Sequence, residues 1–177
     1  MKPKILITGP PRCGKSTLIS KLLDYFNKLN YTIHGFLTPE IRKKGNRIGF
    51  DIKDIYSQEY RKLARIGNYD TKYKVGKYSV FVEELEEMIS KLELIEFNEI
   101  NLLVIDEIGK MELYSKKFQN FIRNIFSSDV TILATIGLKL KHPVKNFILD
   151  LPNVSIFNLN HQNFQEIYQK IVFKIIT

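Results

Sequence analysis

The chain has 177 residues, a length typical of one domain with a substantial buried core. With 44% hydrophobic and 26% charged residues, its composition excludes an intrinsically disordered protein. No apolar run is long enough for a membrane-spanning helix or a signal peptide, and the single cysteine, Cys13, excludes an internal disulfide and a cysteine-built metal site. We therefore expect one domain covering residues 1–177, a cytoplasmic location and no membrane association.

The formal net charge of +8 favours polyanionic partners. One interpretation is a solvated, lysine-rich surface combined with a phosphate-binding site, and the other is a nucleic-acid-binding surface. No recognised nucleic-acid-binding motif is present, so we favour the first. The sequence carries no signal for the oligomeric state, and we expect a monomer.

The chain begins with a strand, a glycine loop and a helix. Residues 4–8 form a short apolar run that ends at Gly9 and indicates a buried strand. Residues 16–30 carry apolar side chains at helical spacing on one face. The apolar positions of this helix are Leu18, Ile19, Leu22, Leu23, Phe26 and Leu29.

The remaining elements alternate between strands and helices. A strand over 31–38 precedes a turn at 43–46 and a returning strand over 47–55, which together predict a β-hairpin. We make no assignment for the polar, tyrosine-rich residues 57–76. Further on we expect helices over 82–97, 115–126 and 160–175, and strands over 102–105, 130–136 and 154–158. The alternation predicts an α/β sandwich in three layers, with a mostly parallel central sheet and an added β-hairpin.

Residues 9–16 match the phosphate-loop pattern G-x-x-x-x-G-K-[ST], between the first strand and the first helix. Gly9 and Gly14 allow a loop whose N–H groups turn inward towards an anion. Lys15 is predicted to reach the β- and γ-phosphates as a catalytic residue, and the Ser16 hydroxyl to bind Mg²⁺. Arg12 has two open interpretations, a phosphate contact or a solvent-exposed side chain. The predicted nucleotide-binding residues here are Gly9, Pro10, Pro11, Arg12, Cys13, Gly14, Lys15, Ser16 and Thr17.

A second candidate segment is the apolar run over 102–105, which ends in Asp106 and Glu107. This pattern is typical of the acidic strand that accompanies a phosphate loop. Asp106 is predicted to hold Mg²⁺, usually through a water molecule, and Glu107 to activate the attacking water as a general base. The alternative is a surface turn with two solvated acids. Lys110 could stabilise charge on the triphosphate or pair with Glu112, and we weigh these roles equally.

Several segments together resemble a known family. They are the phosphate loop, residues 103–113 (LVIDEIGKMEL), residues 35–42 (GFLTPEIR), residues 45–50 (GNRIGF) and residues 75–80 (VGKYSV). In this order they are similar to the THEP-type nucleoside-triphosphatases, whose animal members are called cancer-related nucleoside-triphosphatases. The resemblance covers nearly the whole chain. One departure is Arg12, where the family often has a small residue or glycine.

The resemblance implies a RecA-like P-loop NTPase core and slow, Mg²⁺-dependent hydrolysis of several nucleoside triphosphates with loose base selectivity. It also implies a second nucleotide-binding segment, made up of Leu103, Val104, Ile105, Asp106, Glu107, Ile108, Gly109 and Lys110. Arg42 and Arg47 lie in a family-like segment. One guanidinium could approach the γ-phosphate, although a basic hairpin tip in solvent is slightly favoured.

Two other functions stay open. A small-molecule or nucleotide kinase shares the phosphate loop but needs an acceptor site, which residues 57–76 could cover. A nucleic-acid-binding accessory ATPase would account for the net charge. A regulatory GTPase is disfavoured, because the nearest match to the guanine-reading Asn-Lys-x-Asp pattern is residues 27–30 inside the first predicted helix.

Overall fold

The computed structural model describes all 177 residues and contains one ten-stranded sheet with five α-helices. The strands are β1 (Lys4–Thr8), β2 (Ile33–Leu37), β3 (Glu40–Lys43), β4 (Asn46–Asp54), β5 (Tyr60–Ile66), β6 (Tyr73–Val75), β7 (Tyr78–Val80), β8 (Leu102–Ile108), β9 (Ile132–Ile136) and β10 (Val154–Asn158). The helices are α1 (Lys15–Lys28), α2 (Val82–Leu92), α3 (Lys116–Ser127), α4 (Pro143–Leu149) and α5 (Phe164–Ile176).

Five parallel strands form the central part of the sheet in the order β10–β1–β9–β8–β2. The carboxyl ends of these strands meet at one edge of the sheet. Because β1 lies between β10 and β9, the loop that follows it emerges with a parallel strand on either side. Ligands of open α/β sheets bind at such an edge, so the topology alone marks it for the functional site.

An antiparallel extension continues the sheet beyond β2 in the order β4–β5–β7–β6, with β3 paired to β4. The predicted turn at 43–46 and the returning strand are confirmed, but the turn joins β4 to β3, which was not predicted. The strand predicted over 31–38 is β2, which pairs only with the last residues of β4. The unassigned residues 57–76 supply β5 and β6, so the added part is five strands and not one hairpin.

Two hydrophobic clusters pack on opposite faces of the sheet, which confirms the three layers. Successive residues of β8 alternate between them: Leu102 and Val104 join the cluster under α1 and α5, and Leu103 and Ile105 join the one under α2, α3 and α4. A strand covered on both faces reads as a continuous apolar run, which is how it was recognised in the sequence.

The helices differ from the prediction at α2, α4 and α5, the last of which begins at Phe164 and not at residue 160. The acidic helix ends at Leu92, and a 3₁₀ turn follows at Phe97–Glu99. Helix α4 was missed, although Pro143 opens it and the His142 ring nitrogen accepts a hydrogen bond from the Val144 N–H. No helix in the structure combines the length and hydropathy that a membrane-spanning segment requires.

The amino edge of the parallel strands carries a buried lysine. Lys4 is fully buried, and its Nζ donates hydrogen bonds to the carbonyl oxygens of Ile125, Ser128 and Val130. These carbonyls lie at the end of α3 and in the turn towards β9. Burial lowers the pKa of Lys4 to about 8. The lysine thus satisfies polar groups that would otherwise be left unpaired inside the protein.

Candidate active site

The phosphate loop joins β1 to α1 at the carboxyl edge of the sheet. A Cβ on Gly9 would lie 2.4 Å from the carbonyl oxygen of Leu159 and 2.8 Å from Cys13 Sγ, so only glycine fits there. Gly14 has a φ of 101° and caps α1 without any side-chain hydrogen bond. The first N–H groups of α1 are therefore not capped by a side chain, an arrangement suited to binding an anion.

The Lys15 side chain bends back towards the start of this loop. Its Nζ donates hydrogen bonds of 3.1 Å to the carbonyl oxygens of Gly9 and of Pro10. Ser16 and Thr17 follow in the first turn of α1 and are exposed. The loop therefore presents one ammonium group and two hydroxyl groups at the same edge of the sheet.

Arg12 and Cys13 differ in their surroundings. Arg12 is exposed with a φ of 63°, a left-handed conformation that favours glycine. The phosphate contact of Arg12 stays a prediction. Cys13 is 2% exposed and packs into the cluster under α1, so its thiol has a packing role.

Asp106 lies at the carboxyl end of β8, beside Leu37 of β2. It is 8% exposed, and its carboxylate accepts a hydrogen bond from the Thr135 hydroxyl of β9. Burial raises the pKa of Asp106, while the Thr135 hydrogen bond and the charge of Lys15 act in the opposite direction. The alternative of a solvated acid is thus wrong for this residue.

The apolar members of the second predicted segment do not face a ligand. Leu103, Val104, Ile105 and Ile108 are at most 1% exposed and belong to the two core clusters. Their side chains pack in the core and support the acidic end of the strand. The nucleotide contact predicted for these residues stays a prediction.

Glu107 lies beside a second glutamate that sequence analysis did not select. A Cβ on Gly109 would be 2.8 Å from Glu107 Oε1 and 2.7 Å from Glu112 Oε2, so both carboxyl groups lie beside the bare glycine. Burial, followed by the charge of Asp106, raises the pKa of Glu107, whereas Lys15 lowers it. Glu107 is half-buried, so it is not a fully solvated acid either.

Glu112 is an almost fully buried acid with a raised pKa. It is 3% exposed and forms no salt bridge. Burial and then the charge of Glu107 raise the pKa of Glu112 to about 8. Lys110 is exposed and does not pair with it, so that interpretation of Lys110 is wrong. The glycine between the two acids was the one signal that could have pointed to their proximity.

The hairpin arginines are bound to a neighbouring acid. Arg42 and Arg47 both form salt bridges with Glu40, at 2.6 Å and 2.8 Å, and their side chains are 50% and 43% exposed. Arg47 also donates to the Tyr78 hydroxyl. These contacts favour the interpretation of a solvent-exposed basic hairpin.

Comparison with known proteins identifies relatives over almost the entire chain. The model of a family described as NTPase matches residues 4–172. A nucleoside-triphosphatase THEP1 from Thermotoga sp. (strain RQ2) is 42% identical over 170 residues, which are 96% of this chain and 93% of the relative. The nucleoside-triphosphatase THEP1 of Methanocaldococcus jannaschii is 34% identical, covering 98% of this chain and 97% of its own.

Two solved structures share the fold. The crystal structure of THEP1 from the hyperthermophile Aquifex aeolicus superimposes with a TM-score of 0.84 at 31% identity, covering 98% of this chain and 99% of its own. The solution structure of a human cancer-related nucleoside triphosphatase superimposes with a TM-score of 0.80 at 31% identity, covering 97% of this chain and 96% of its own. The predicted α/β P-loop NTPase fold is thereby confirmed.

These matches carry a chemical conclusion as well as a structural one. The chain is a hydrolase of nucleoside triphosphates, and enzymes of this kind generally use a divalent metal ion. The phosphate loop and the buried acids described above lie inside the matched region. This chain belongs to the THEP1-type nucleoside-triphosphatase family.

Proposed function

We propose that the chain hydrolyses the common nucleoside 5′-triphosphates ATP, GTP, CTP and UTP to diphosphate and phosphate, with Mg²⁺ and with weak base selectivity. One observation carries the proposal. The Lys15 ammonium, the buried Asp106 and the half-buried Glu107 lie at one edge of the sheet, close enough for Lys15 to lower the pKa of both acids. The group proposed to bind phosphates therefore lies close to the groups proposed to hold the metal ion and to activate water.

The triphosphate is proposed to bind in the phosphate loop. The N–H groups at the end of the loop and at the uncapped start of α1, which Pro10 and Pro11 do not supply, would face the phosphate oxygens. Lys15 then exchanges its hydrogen bonds to the loop carbonyls for charge-assisted bonds to the β- and γ-phosphates. These bonds strengthen as negative charge grows on the leaving diphosphate.

The residues fit a Mg²⁺ site of the kind completed by substrate. No group of three or more His, Cys, Asp or Glu residues in the chain could hold a metal ion by itself. Mg²⁺ prefers one or two protein oxygen ligands together with phosphate oxygens and water. The Ser16 hydroxyl and the Asp106 carboxylate are hard oxygen donors of this type. Bound there, the ion would neutralise charge on the triphosphate.

Glu107 is proposed to be the general base. The oxygen of a water molecule attacks the γ-phosphorus, and the bond from that phosphorus to the β–γ bridging oxygen breaks. One proton of the water passes to the Glu107 carboxylate, and the bridging oxygen leaves with the diphosphate. A raised pKa makes Glu107 a better proton acceptor than an ordinary solvated glutamate.

Weak base selectivity follows from the positions of the assigned groups. Each one acts on phosphate, metal or water, and none is assigned to the base. We also propose that residues 1–177 act as one domain, which is supported by the continuous sheet and the family match over 4–172. The monomeric state, the cytoplasmic location and the disfavoured nucleic-acid partner stay predictions.

The test is release of inorganic phosphate from each of the four triphosphates, without any acceptor, in Mg²⁺ and in excess chelator. We expect release from all four with Mg²⁺, with kcat/KM values within about a hundredfold, and none with chelator. A preference of roughly a thousandfold for one base, about 4 kcal/mol, would contradict weak selectivity. If phosphate were transferred only after an acceptor is added, the chain would act as a kinase, and the proposed hydrolysis would be contradicted.

A further inference from the structure

Lys145 is a half-buried cation without an acidic partner. It lies in the first turn of α4, and its Nζ donates hydrogen bonds to the carbonyl oxygens of Gly137 at 3.4 Å and of Leu138 at 3.0 Å. None of the salt bridges in the structure includes this lysine. Its charge is therefore not balanced by a carboxylate, and one of its N–H donors stays free for another group.

Lys15 of the phosphate loop has the same kind of surroundings. Its Nζ donates to the carbonyl oxygens of Gly9 and Pro10, the two residues that follow β1, and it forms no salt bridge either. Lys145 donates to the two residues that follow β9. A phosphate oxygen is a stronger acceptor for an ammonium group than a neutral carbonyl oxygen, so both lysines gain by exchanging the one for the other.

The loop after β9 emerges between the phosphate loop and the acidic strand. In the sheet, β9 lies between β1 and β8. Thr135 of β9 pairs with Ile7 of β1, and the next residue, Ile136, pairs with Ile108 of β8. Adjacent strands are about 4.8 Å apart. Gly137, the first residue after β9, is therefore about one strand spacing from the start of the phosphate loop and from the end of the acidic strand.

The proposed reaction places the γ-phosphate over the end of β9. This phosphate has to meet Lys15 on the β1 side. It also has to meet the metal ion and the water, which are assigned to Asp106 and Glu107 on the β8 side. Because β9 is the strand between β1 and β8, a phosphate that reaches both sides lies over its carboxyl end. The Lys145 ammonium is bonded to the backbone at that end.

The loop and the helix that hold Lys145 are fixed by the fold. Leu140 is buried in the core, and its N–H donates to the carbonyl oxygen of Gly137. The His142 ring nitrogen accepts a hydrogen bond from the Val144 N–H at the start of α4. The loop also carries Lys139 and Lys141, which are exposed. Of its cations, only Lys145 is held by the carbonyl oxygens at the end of β9.

We propose that Lys145 is a second phosphate-binding cation of the site, which moves from the carbonyl oxygens of Gly137 and Leu138 to an oxygen of the γ-phosphate when a triphosphate binds. The proposal rests on the proposed function and adds a catalytic residue to it. The ammonium stabilises the charge on the γ-phosphate oxygens while the bond to the bridging oxygen breaks. A nucleoside diphosphate has no γ-phosphate, so Lys145 makes no contact with it.

Lys145→Met keeps an unbranched side chain of similar length and removes the charge and the donors. We expect kcat to fall roughly 10- to 100-fold, as for the loss of one donor to a developing negative charge. Affinity for a non-hydrolysable ATP analogue with Mg²⁺ should fall about tenfold, whereas affinity for ADP should stay within about twofold of wild type. The matched controls Lys139→Met and Lys141→Met should change none of these quantities by more than about twofold.

The kcat values come from phosphate release at saturating Mg²⁺·ATP, the affinities from titrations with fluorescent forms of the analogue and of ADP, and folding from thermal unfolding. If Lys145 served only to hold the loop, its loss would change both affinities by the same factor or change neither. Either result would overturn the proposal. Wild-type kcat in folded Lys145→Met would also overturn it, and so would an equal loss of kcat in Lys139→Met or Lys141→Met.

Lys145→Gln provides a second variant should Lys145→Met not fold. The amide keeps a neutral donor for the loop carbonyls but has no charge, so the loss of affinity for the analogue and not for ADP should persist. Wild-type kcat in this variant would overturn the proposal. Wild-type kcat in Glu107→Gln or Lys15→Ala would instead contradict the proposed function. A loss in those two variants with none in Lys145→Met would remove only the role of Lys145.

Discussion

The two edges of the parallel sheet bury ionisable groups in different ways. At the amino edge, the Lys4 ammonium donates to three carbonyl oxygens and is fully enclosed. At the carboxyl edge, Asp106, Glu107 and Glu112 gather without a salt bridge to any of them, and burial raises the pKa of all three. A buried ionisable group such as Lys4, which is hydrogen-bonded to other groups of the protein, contributes to stability. Acids that the fold leaves without a salt bridge have the perturbed pKa values that are concentrated at functional sites.

Lys15→Ala should give the largest effect. This lysine is the one side-chain cation that acts on both Asp106 and Glu107, and it is proposed to contact the β- and γ-phosphates. Its removal should cost several kcal/mol of transition-state stabilisation, roughly 10³-fold or more in turnover. Phosphate release under saturating Mg²⁺·ATP measures it. Near-normal activity of the folded variant would refute the phosphate-loop assignment.

The second largest effect is expected for Asp106→Asn, which should raise the Mg²⁺ concentration that activity requires. The asparagine oxygen can still accept from the Thr135 hydroxyl, so the local contact survives while the charge is lost. We expect the Mg²⁺ concentration for half-maximal activity to rise roughly tenfold or more. The comparison is Thr135→Val, which keeps the charge of Asp106 and removes only the hydroxyl that orients it, so the Mg²⁺ requirement should rise less than in Asp106→Asn. An unchanged Mg²⁺ titration in Asp106→Asn would remove Asp106 from the metal site.

Lys4→Met should affect stability and leave the chemistry unchanged. The substitution leaves the carbonyl oxygens of Ile125, Ser128 and Val130 without their hydrogen-bond donor. This loss should lower the free energy of unfolding by about 2–3 kcal/mol. Urea unfolding measures this loss, and kcat per folded molecule should equal that of wild type. The control is Lys2→Met at an exposed neighbouring position, with an expected change below about 0.5 kcal/mol. A large loss of kcat in Lys4→Met without destabilisation would break the contrast between the two edges.

The smallest effects are expected at Arg42 and Arg47. Both pair with Glu40 on an exposed hairpin, and such salt bridges contribute about 0–1 kcal/mol. Alanine at either position should therefore leave kcat within about threefold of wild type. Steady-state phosphate release on both variants decides this. A tenfold loss with folding intact would extend the active site into the hairpin.

The sequence predicts those parts of the site that depend on local patterns. The phosphate loop has fixed spacing between Gly9, Gly14 and Lys15, and its strand and helix signals are strong on either side. The acidic strand is recognisable because a strand buried on both faces is continuously apolar until it reaches Asp106. In both cases the residues that carry the chemistry are neighbours in the chain.

The missed features depend on tertiary contacts or weak periodicity. Strands β5 and β6 are rich in polar residues, because one lies in an extension with exposed surface and the other is the edge strand, so neither alternates clearly. The burial of Lys4 depends on carbonyls more than 120 residues away. Thr135 and Glu112 join the site through packing of β9 and of a 3₁₀ turn, which no local motif specifies.

The most direct test of the account is Glu107→Gln, measured by nucleotide binding and by turnover. Affinity comes from titrating a fluorescent nucleotide with Mg²⁺, and turnover from phosphate release at saturating Mg²⁺·ATP. General-base catalysis acts in the transition state, so kcat should fall about 10²–10⁴-fold while affinity stays within a few-fold. A wild-type kcat would show that Glu107 does not activate the water and would contradict the assignment of the buried acids at the carboxyl edge.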